Sequence, residues 1–188
     1  MCVHRCDWAE VNDLLVADHD QHWGVPLYDD QQLFRQLLLE NAQAGLSWTL
    51  ILSKQAGYQR AFDDFCPAKI ARYDDAKIQS LLTNPNIVRN QLKIRAAVTN
   101  AQAYLKIQQQ YGSFADYCWS FVGGAPIING WRHAHQVPTC SAESKAMSAS
   151  FKRHGFKFVG ATTCYAFMQA VGMVNDHLQS CFRYQQLC

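Results

Sequence analysis

Apolar residues recur at three- and four-residue spacing along almost the whole chain, and strict alternation is scarce. That period belongs to amphipathic helices rather than strands. The stripe Leu33, Phe34, Leu37, Leu38 and Asn41 predicts a helix opened by Asp29 or Asp30 as its cap and stopped at Gly45. Ser47 can cap the next, with Trp48, Ile51, Leu52, Tyr58 and Phe62 facing inward. Pro67 suits the first turn of a short helix, and Asp74 or Asp75 starts another bearing Ile78, Leu81 and Leu82. After a break at 83–88, a long helix over about 89–109 packs Leu92, Ala96, Ala97, Ala101, Tyr104 and Leu105. Ser113 and Ser141 begin two more, Gly155 stops the second, and a last helix runs from about Thr162 to Gly172. Before these, residues 1–9 are irregular and a short helix covers about 10–19. The longest loop, 123–140, holds Trp131, His133 and His135. The fold class is therefore all-α, with no repeat, linker or low-complexity tract.

A length of 188 residues with 49% hydrophobic and 12% aromatic content suits one domain, built as two helical lobes sharing a core. The formal charge of +2 permits nucleic-acid binding without demanding it. The longest apolar-leaning run, Cys164 to Val174, falls well short of the roughly 20 residues that span a bilayer, so no membrane role is expected. No signal core follows Met1, and the eight cysteines are scattered. A cytoplasmic protein with reduced thiols is expected, its cysteines either filling the core or binding metal.

Three constellations carry possible chemistry. His177 and Cys181 stand four apart, which on a helix puts both on one face. Cys6 and His19 can complete a set of two thiolates and two imidazoles, which suits a structural tetrahedral zinc. Cys2, His4, His22 and Cys188 compete as ligands, and packing alone also explains the His177–Cys181 spacing. The break at 83–88 reads as a helix–hairpin–helix whose backbone amides meet a phosphate, with Asn86 tolerating a left-handed turn and Arg89 and Lys93 flanking it. An ordinary connection with solvated charges explains the same pattern. Finally, Glu40 lies near a helix C-terminus, against the dipole, and joins Asp18, Trp8 and Trp48 as carboxylate and flat faces for an extruded base; taken singly, each Trp also reads as core and Glu40 as a solvated helix residue. Leu46 is either a wedge for the gap that base leaves or a core leucine. The basic turn around Lys157 is a candidate contact for a DNA backbone. Phosphate-loop, serine-elbow and zinc-protease motifs are missing.

In this order the segments resemble the DNA-3-methyladenine glycosylase I (Tag) family of helix–hairpin–helix DNA glycosylases. They are Arg5-Cys6-Asp7-Trp8; His19-Asp20 with Trp23-Gly24-Val25-Pro26; Leu33-Phe34 with Glu40 and Gln43-Ala44-Gly45-Leu46-Ser47-Trp48; Asn84 to Lys93; and Gly155 to Gly160 through Asp176-His177 to Cys181. The resemblance implies a helix–hairpin–helix at about 76–108 and a zinc clasp of Cys6, His19, His177 and Cys181 joining the chain ends. It implies Glu40 as the carboxylate that recognises the damaged base and Trp48 and Trp8 as pocket walls. The implied activity is monofunctional hydrolysis of the N-glycosidic bond of 3-methyladenine in alkylated double-stranded DNA, for base excision repair, by a monomer. The chain departs from the pattern at Asp18, where the family has Tyr, and at His22, where it has Glu. Asn86 and Asn90 stand where Gly and His are common. Asp18 and Asn90 also fit a non-catalytic relative that binds damaged DNA; a zinc-stabilised helical protein of unrelated function is the third reading.

Overall fold

Polar caps open most helices of the computed structural model, which describes residues 3–188. Asn12 accepts from the Leu15 amide to start α1 (Asp13–Gln21). Asp29 caps α2 (Asp30–Gln43) and Ser47 caps α3 (Trp48–Ala61). Pro67 opens the short α4 (Pro67–Ile70), and Asp74 caps α5 (Asp75–Thr83). Asn90 accepts from two amides of α6 (Gln91–Tyr111), and Ser113 caps α7 (Phe114–Trp119). Ser141 and Ser144 cap α8 (Ala142–Arg153) reciprocally. α9 (Ala161–Ala170) and α10 (Phe182–Gln186) complete the helices. Each side-chain cap is worth about 1 kcal/mol, so these starts are encoded locally.

α2 is the axis of the molecule. It packs against α3, α6, α7 and α9. Every residue from 37 to 42 is buried, so its second half is wrapped on all sides rather than along one stripe. Glu40 consequently lies in the interior. The chain leaves α2 through Gly45 at φ +77°, as its composition predicts.

Four expectations change. The segment read as a helix over 10–19 is a 3-10 turn, Asp7–Val11, followed by α1. The last long helix stops at Ala170, and His177 and Cys181 lie on irregular backbone, so no helix face brings them together. The loop 123–140 contributes β1 (Ile127–Ile128), which pairs in parallel with β2 (Val174–Asn175). Leu92 is 69% exposed rather than packed. The buried stripe of α6 runs through Ile94, Ala97, Val98 and Ala101, and Leu92 sits two residues, about 200°, from its start.

The connection between α5 and α6 is pinned to α3. A Cβ on Gly57 would stand 2.2 Å from the Asn86 carbonyl oxygen. Lys54 Nζ donates to the Pro85 carbonyl at 2.7 Å, and the Val88 amide donates to Tyr58 Oη at 3.1 Å. Among the described residues, no helix is long and apolar enough to cross a membrane.

Candidate functional site

The buried C-terminal half of α2 and the first turn of α3 form one side of a cavity of about 300 Å³. Trp48 begins α3 directly after its Ser47 cap, which fixes where its ring stands. Trp8, from the 3-10 turn, and Trp23, from the loop after α1, supply two more flat faces. Their rings meet edge-on, with centroids 5.1 Å apart. Asp7, Glu40, Gln43, Gln169 and Asp176 are the polar groups in the lining, with Glu40 and Asp176 buried, while Val137 and Leu178 add apolar surface. A cleft with aromatic walls and a few convergent polar groups is the usual form of a small-ligand site, and its size suits a purine.

Burial pushes the Glu40 carboxyl up to about 7. A hydrogen bond from Gln36 Nε2 at 2.8 Å opposes this, and the nearby negative charge of Asp18 adds to it. Asp18 does not line the cavity, contrary to its expected part in binding substrate. Its Oδ2 accepts the indole N–H of Trp48 at 2.7 Å, so it stands behind the ring and fixes its plane. Burial also raises the Asp18 pKa.

Cys6, His19, His177 and Cys181 converge in the interior, with one donor atom from each inside a 4.8 Å span. Cys181 Sγ lies 3.4 Å from His19 Nε2 and 3.6 Å from His177 Nδ1, and Cys6 Sγ lies 3.8 Å from His177 Nδ1. The edges of a tetrahedral two-sulfur, two-nitrogen zinc site are roughly 3.4–3.8 Å, so the spacing fits a metal. The outer contacts fit as well. His19 Nδ1 meets Asp20 at 2.8 Å, and Asp20 takes a two-pronged bond from Arg5. His177 Nε2 meets the Trp23 carbonyl oxygen at 3.2 Å. Each ring thus spends its outer nitrogen on an acceptor and leaves the inner one free to ligate. The Leu178 amide points at Cys6 Sγ at 3.5 Å. Hydrogen bonds from Cys6, His177 and His19 push the Cys181 thiol far below its usual range. This group can bind a metal ion. Three rivals stay outside it: His4 is exposed and bonds Ser180, and His22 and Cys188 are exposed; the fourth, Cys2, falls outside the described residues.

Metal group and cavity share a wall. Cys6 lines the cavity, Trp23 packs edge-on against the His177 ring with centroids 4.6 Å apart, and Trp8 does so against His19 at 5.4 Å. A four-donor centre here would therefore hold two of the three tryptophans in position.

Of the residues expected to meet DNA, Leu46, Asn86, Arg89 and Lys157 are exposed. Leu46 stands at the tip between α2 and α3. Two of the assigned roles are corrected. Asn86 does not adopt a positive φ, and its amide donates to Asn84 Oδ1 at 2.9 Å, so the side chain of Asn84 shapes the turn. Lys93 Nζ donates to the carbonyls of Ala42 and Ala44 at 2.8 and 2.6 Å. It caps the C-terminal end of α2 instead of flanking a phosphate. The Lys157 backbone is held by Asn100, which accepts its amide at 2.7 Å and donates to its carbonyl at 3.1 Å.

Sequence reasoning passed over Trp23, Asp176 and Gln169. Trp23 stands in a Gly-Pro loop without periodicity, Gln169 lies near the end of the last long helix, and Asp176 enters only as the neighbour of His177 in a family segment. Asp176 is buried and accepts four bonds: from Asn129 Nδ2, Trp131 Nε1 and Tyr165 Oη at 2.7 Å each, and from Gln169 Nε2 at 2.8 Å.

The methyladenine glycosylase family model matches residues 8–184. The chain is 43% identical over 177 residues to the DNA-3-methyladenine glycosylase of Haemophilus influenzae, covering 94% of this chain and 96% of that protein. A crystal structure of 3-methyladenine DNA glycosylase I superposes with a TM-score of 0.93 at 45% identity, covering 95% of this chain and 98% of the other. A variant of a 3-methyladenine DNA glycosylase I in complex with 3-methyladenine gives 0.92 at 41% identity, covering 95% and 96%.

Proposed function

This chain belongs to the methyladenine glycosylase family, and on that premise we propose how its cavity carries out the excision of an alkylated base. The protein hydrolyses the N-glycosidic bond of 3-methyladenine in alkylated DNA, the opening step of base excision repair. The single observation that carries the assignment of the site is the buried Glu40 facing a cavity walled by Trp8, Trp23 and Trp48.

Methylation at N3 makes the base cationic, so it leaves neutral and needs little acid catalysis. The protein's task is to extrude the nucleotide, stack the base between aromatic faces and favour the cation over normal adenine. Trp8, Trp23 and Trp48 provide the faces, with Trp48 held in plane by Asp18. Glu40 accepts an N–H of the base edge, and its charge favours both the cationic base and an oxocarbenium-like sugar. Leu46 fills the gap left in the duplex, while Arg89 and Lys157 meet phosphates. Among the described residues, no lysine lines the cavity, in keeping with hydrolysis by water and no strand cleavage. Cys6, His19, His177 and Cys181 hold a structural Zn²⁺ whose part is to fasten the two chain ends. The pair α5–α6 serves as the helix–hairpin–helix, within one glycosylase domain of two helical lobes. A cytoplasmic monomer acting on duplex DNA completes the reading.

Base release from alkylated duplex DNA, with the products identified, tests it. The expected product is 3-methyladenine, in excess over 7-methylguanine, with abasic strands left uncut. Binding to abasic DNA without any base release would select a non-catalytic damage-binding relative instead.

A further inference from the structure

Gln169 lies in the last turn of α9 and lines the cavity together with Glu40. Its amide can face only one way. Asp176 beside it is a carboxylate already taking bonds from Asn129, Trp131 and Tyr165, and a carboxylate only accepts. The Gln169 Nε2 group therefore donates to Asp176 Oδ2, at 2.8 Å, and the carbonyl Oε1 is turned the other way. Oε1 has no hydrogen-bond partner among the described residues, yet it is not sealed away from solvent. It is a fixed, unspent acceptor on a residue of the cavity wall. The Asp176 network joins the 129–131 segment to α9, so rotating the amide would place two acceptors face to face in a buried setting.

We propose that Gln169 Oε1, with Glu40, selects purines carrying an amine at position 6 over those carrying an oxygen there. This rests on the reading of the cavity as the base pocket. A 6-amino group has two N–H donors, one for Glu40 and one for Gln169. A 6-oxo group presents an acceptor to both, leaves every partner unpaired, and is rejected even when the base is methylated and cationic. Charge and stacking distinguish damaged from normal bases; the Gln169–Glu40 pair distinguishes adenine from guanine among damaged ones. A site built to pair a donor discriminates far more strongly than one that only measures shape.

The test compares kcat/KM for release of 3-methyladenine and of 3-methylguanine from alkylated duplex DNA, in the parent and in Gln169→Met, which keeps the length and removes the acceptor. Release of 3-methyladenine should fall roughly 10- to 100-fold while release of 3-methylguanine holds or rises, so that the ratio collapses. Equal losses for both bases, or none, would overturn the proposal and reduce Gln169 to a support for Asp176. A second arm measures binding of the two free bases by calorimetry, with thermal unfolding confirming the fold. Gln169→Met binding free 3-methyladenine as tightly as the parent does would also overturn it. A parent that binds neither free base would remove the base-pocket reading itself, and this proposal with it.

Discussion

At the scale of the residue, Glu40 is governed by a competition that its burial decides. The carboxyl is held up to about 7 by desolvation and by Asp18, against one hydrogen bond from Gln36. In the folded protein it keeps a proton that the unfolded chain releases near its ordinary value of 4.5. The folded state thus binds more protons between those values, and stability falls as pH rises through that window. The penalty is about 3 kcal/mol at most. A cationic base reverses the balance by favouring the carboxylate. Excision should therefore rise with pH through about 7 and then level off. Glu40→Gln should flatten that profile, lower kcat/KM by about 1–3 kcal/mol, and unfold at a higher temperature than the parent at pH 8 but not at pH 5. A parent profile that stays flat from about pH 6 to 8 would remove a titrating carboxylate from the reaction. Asp18 contributes from behind Trp48, where its carboxylate accepts the indole N–H and fixes the ring.

At the scale of the element, the α5–α6 turn depends on α3 as much as on its own residues. The Gly57 position has no room for a methyl group, because the Asn86 carbonyl would sit 2.2 Å from it. Gly→Ala in a helix normally stabilises by up to about 1 kcal/mol. Here the sign should invert: Gly57→Ala should destabilise by roughly 1–3 kcal/mol through overpacking and weaken binding to an abasic duplex by displacing the hairpin. Denaturant unfolding checks the first effect and salt-dependent affinity the second; a variant as stable as the parent would show that the turn moves freely from α3. The same element marks what was legible in the sequence. Most helix starts were, because Asp29, Ser47, Asp74, Ser113 and Ser141 act on amides within three residues. The contacts of Lys93 with Ala42 and Ala44, about fifty residues away, were not, nor was the exposure of Leu92, since both depend on how helices cross. His177 and Cys181 were paired for the wrong local reason: a turn, not a helix face, brings them to one point.

At the scale of the molecule, a metal ion held by Cys6, His19, His177 and Cys181 would tie residue 6 to residue 181 and so close almost the entire chain. Treated as a cross-link, a closure of that length restricts the unfolded ensemble by on the order of 5 kcal/mol. The closure also carries the cavity wall, because Trp8 and Trp23 pack on the His19 and His177 rings. The hairpin end of the molecule shares no residue with it. Loss of the metal should consequently separate two properties that an intact active site keeps together. Cys181→Ala, or exhaustive chelation of the parent, should lower zinc content from about one per chain, lower the melting temperature, and weaken binding of free 3-methyladenine. Affinity for undamaged duplex at low salt should change little, because the exposed Arg89 and Lys157 and the α5–α6 turn are anchored to α3 and Asn100 instead. Zinc analysis, calorimetry and a salt titration read these three effects separately. Full zinc retention in Cys181→Ala would reassign the ligand set. Equal loss of base and duplex binding would mean that the clasp supports the whole fold rather than the base pocket.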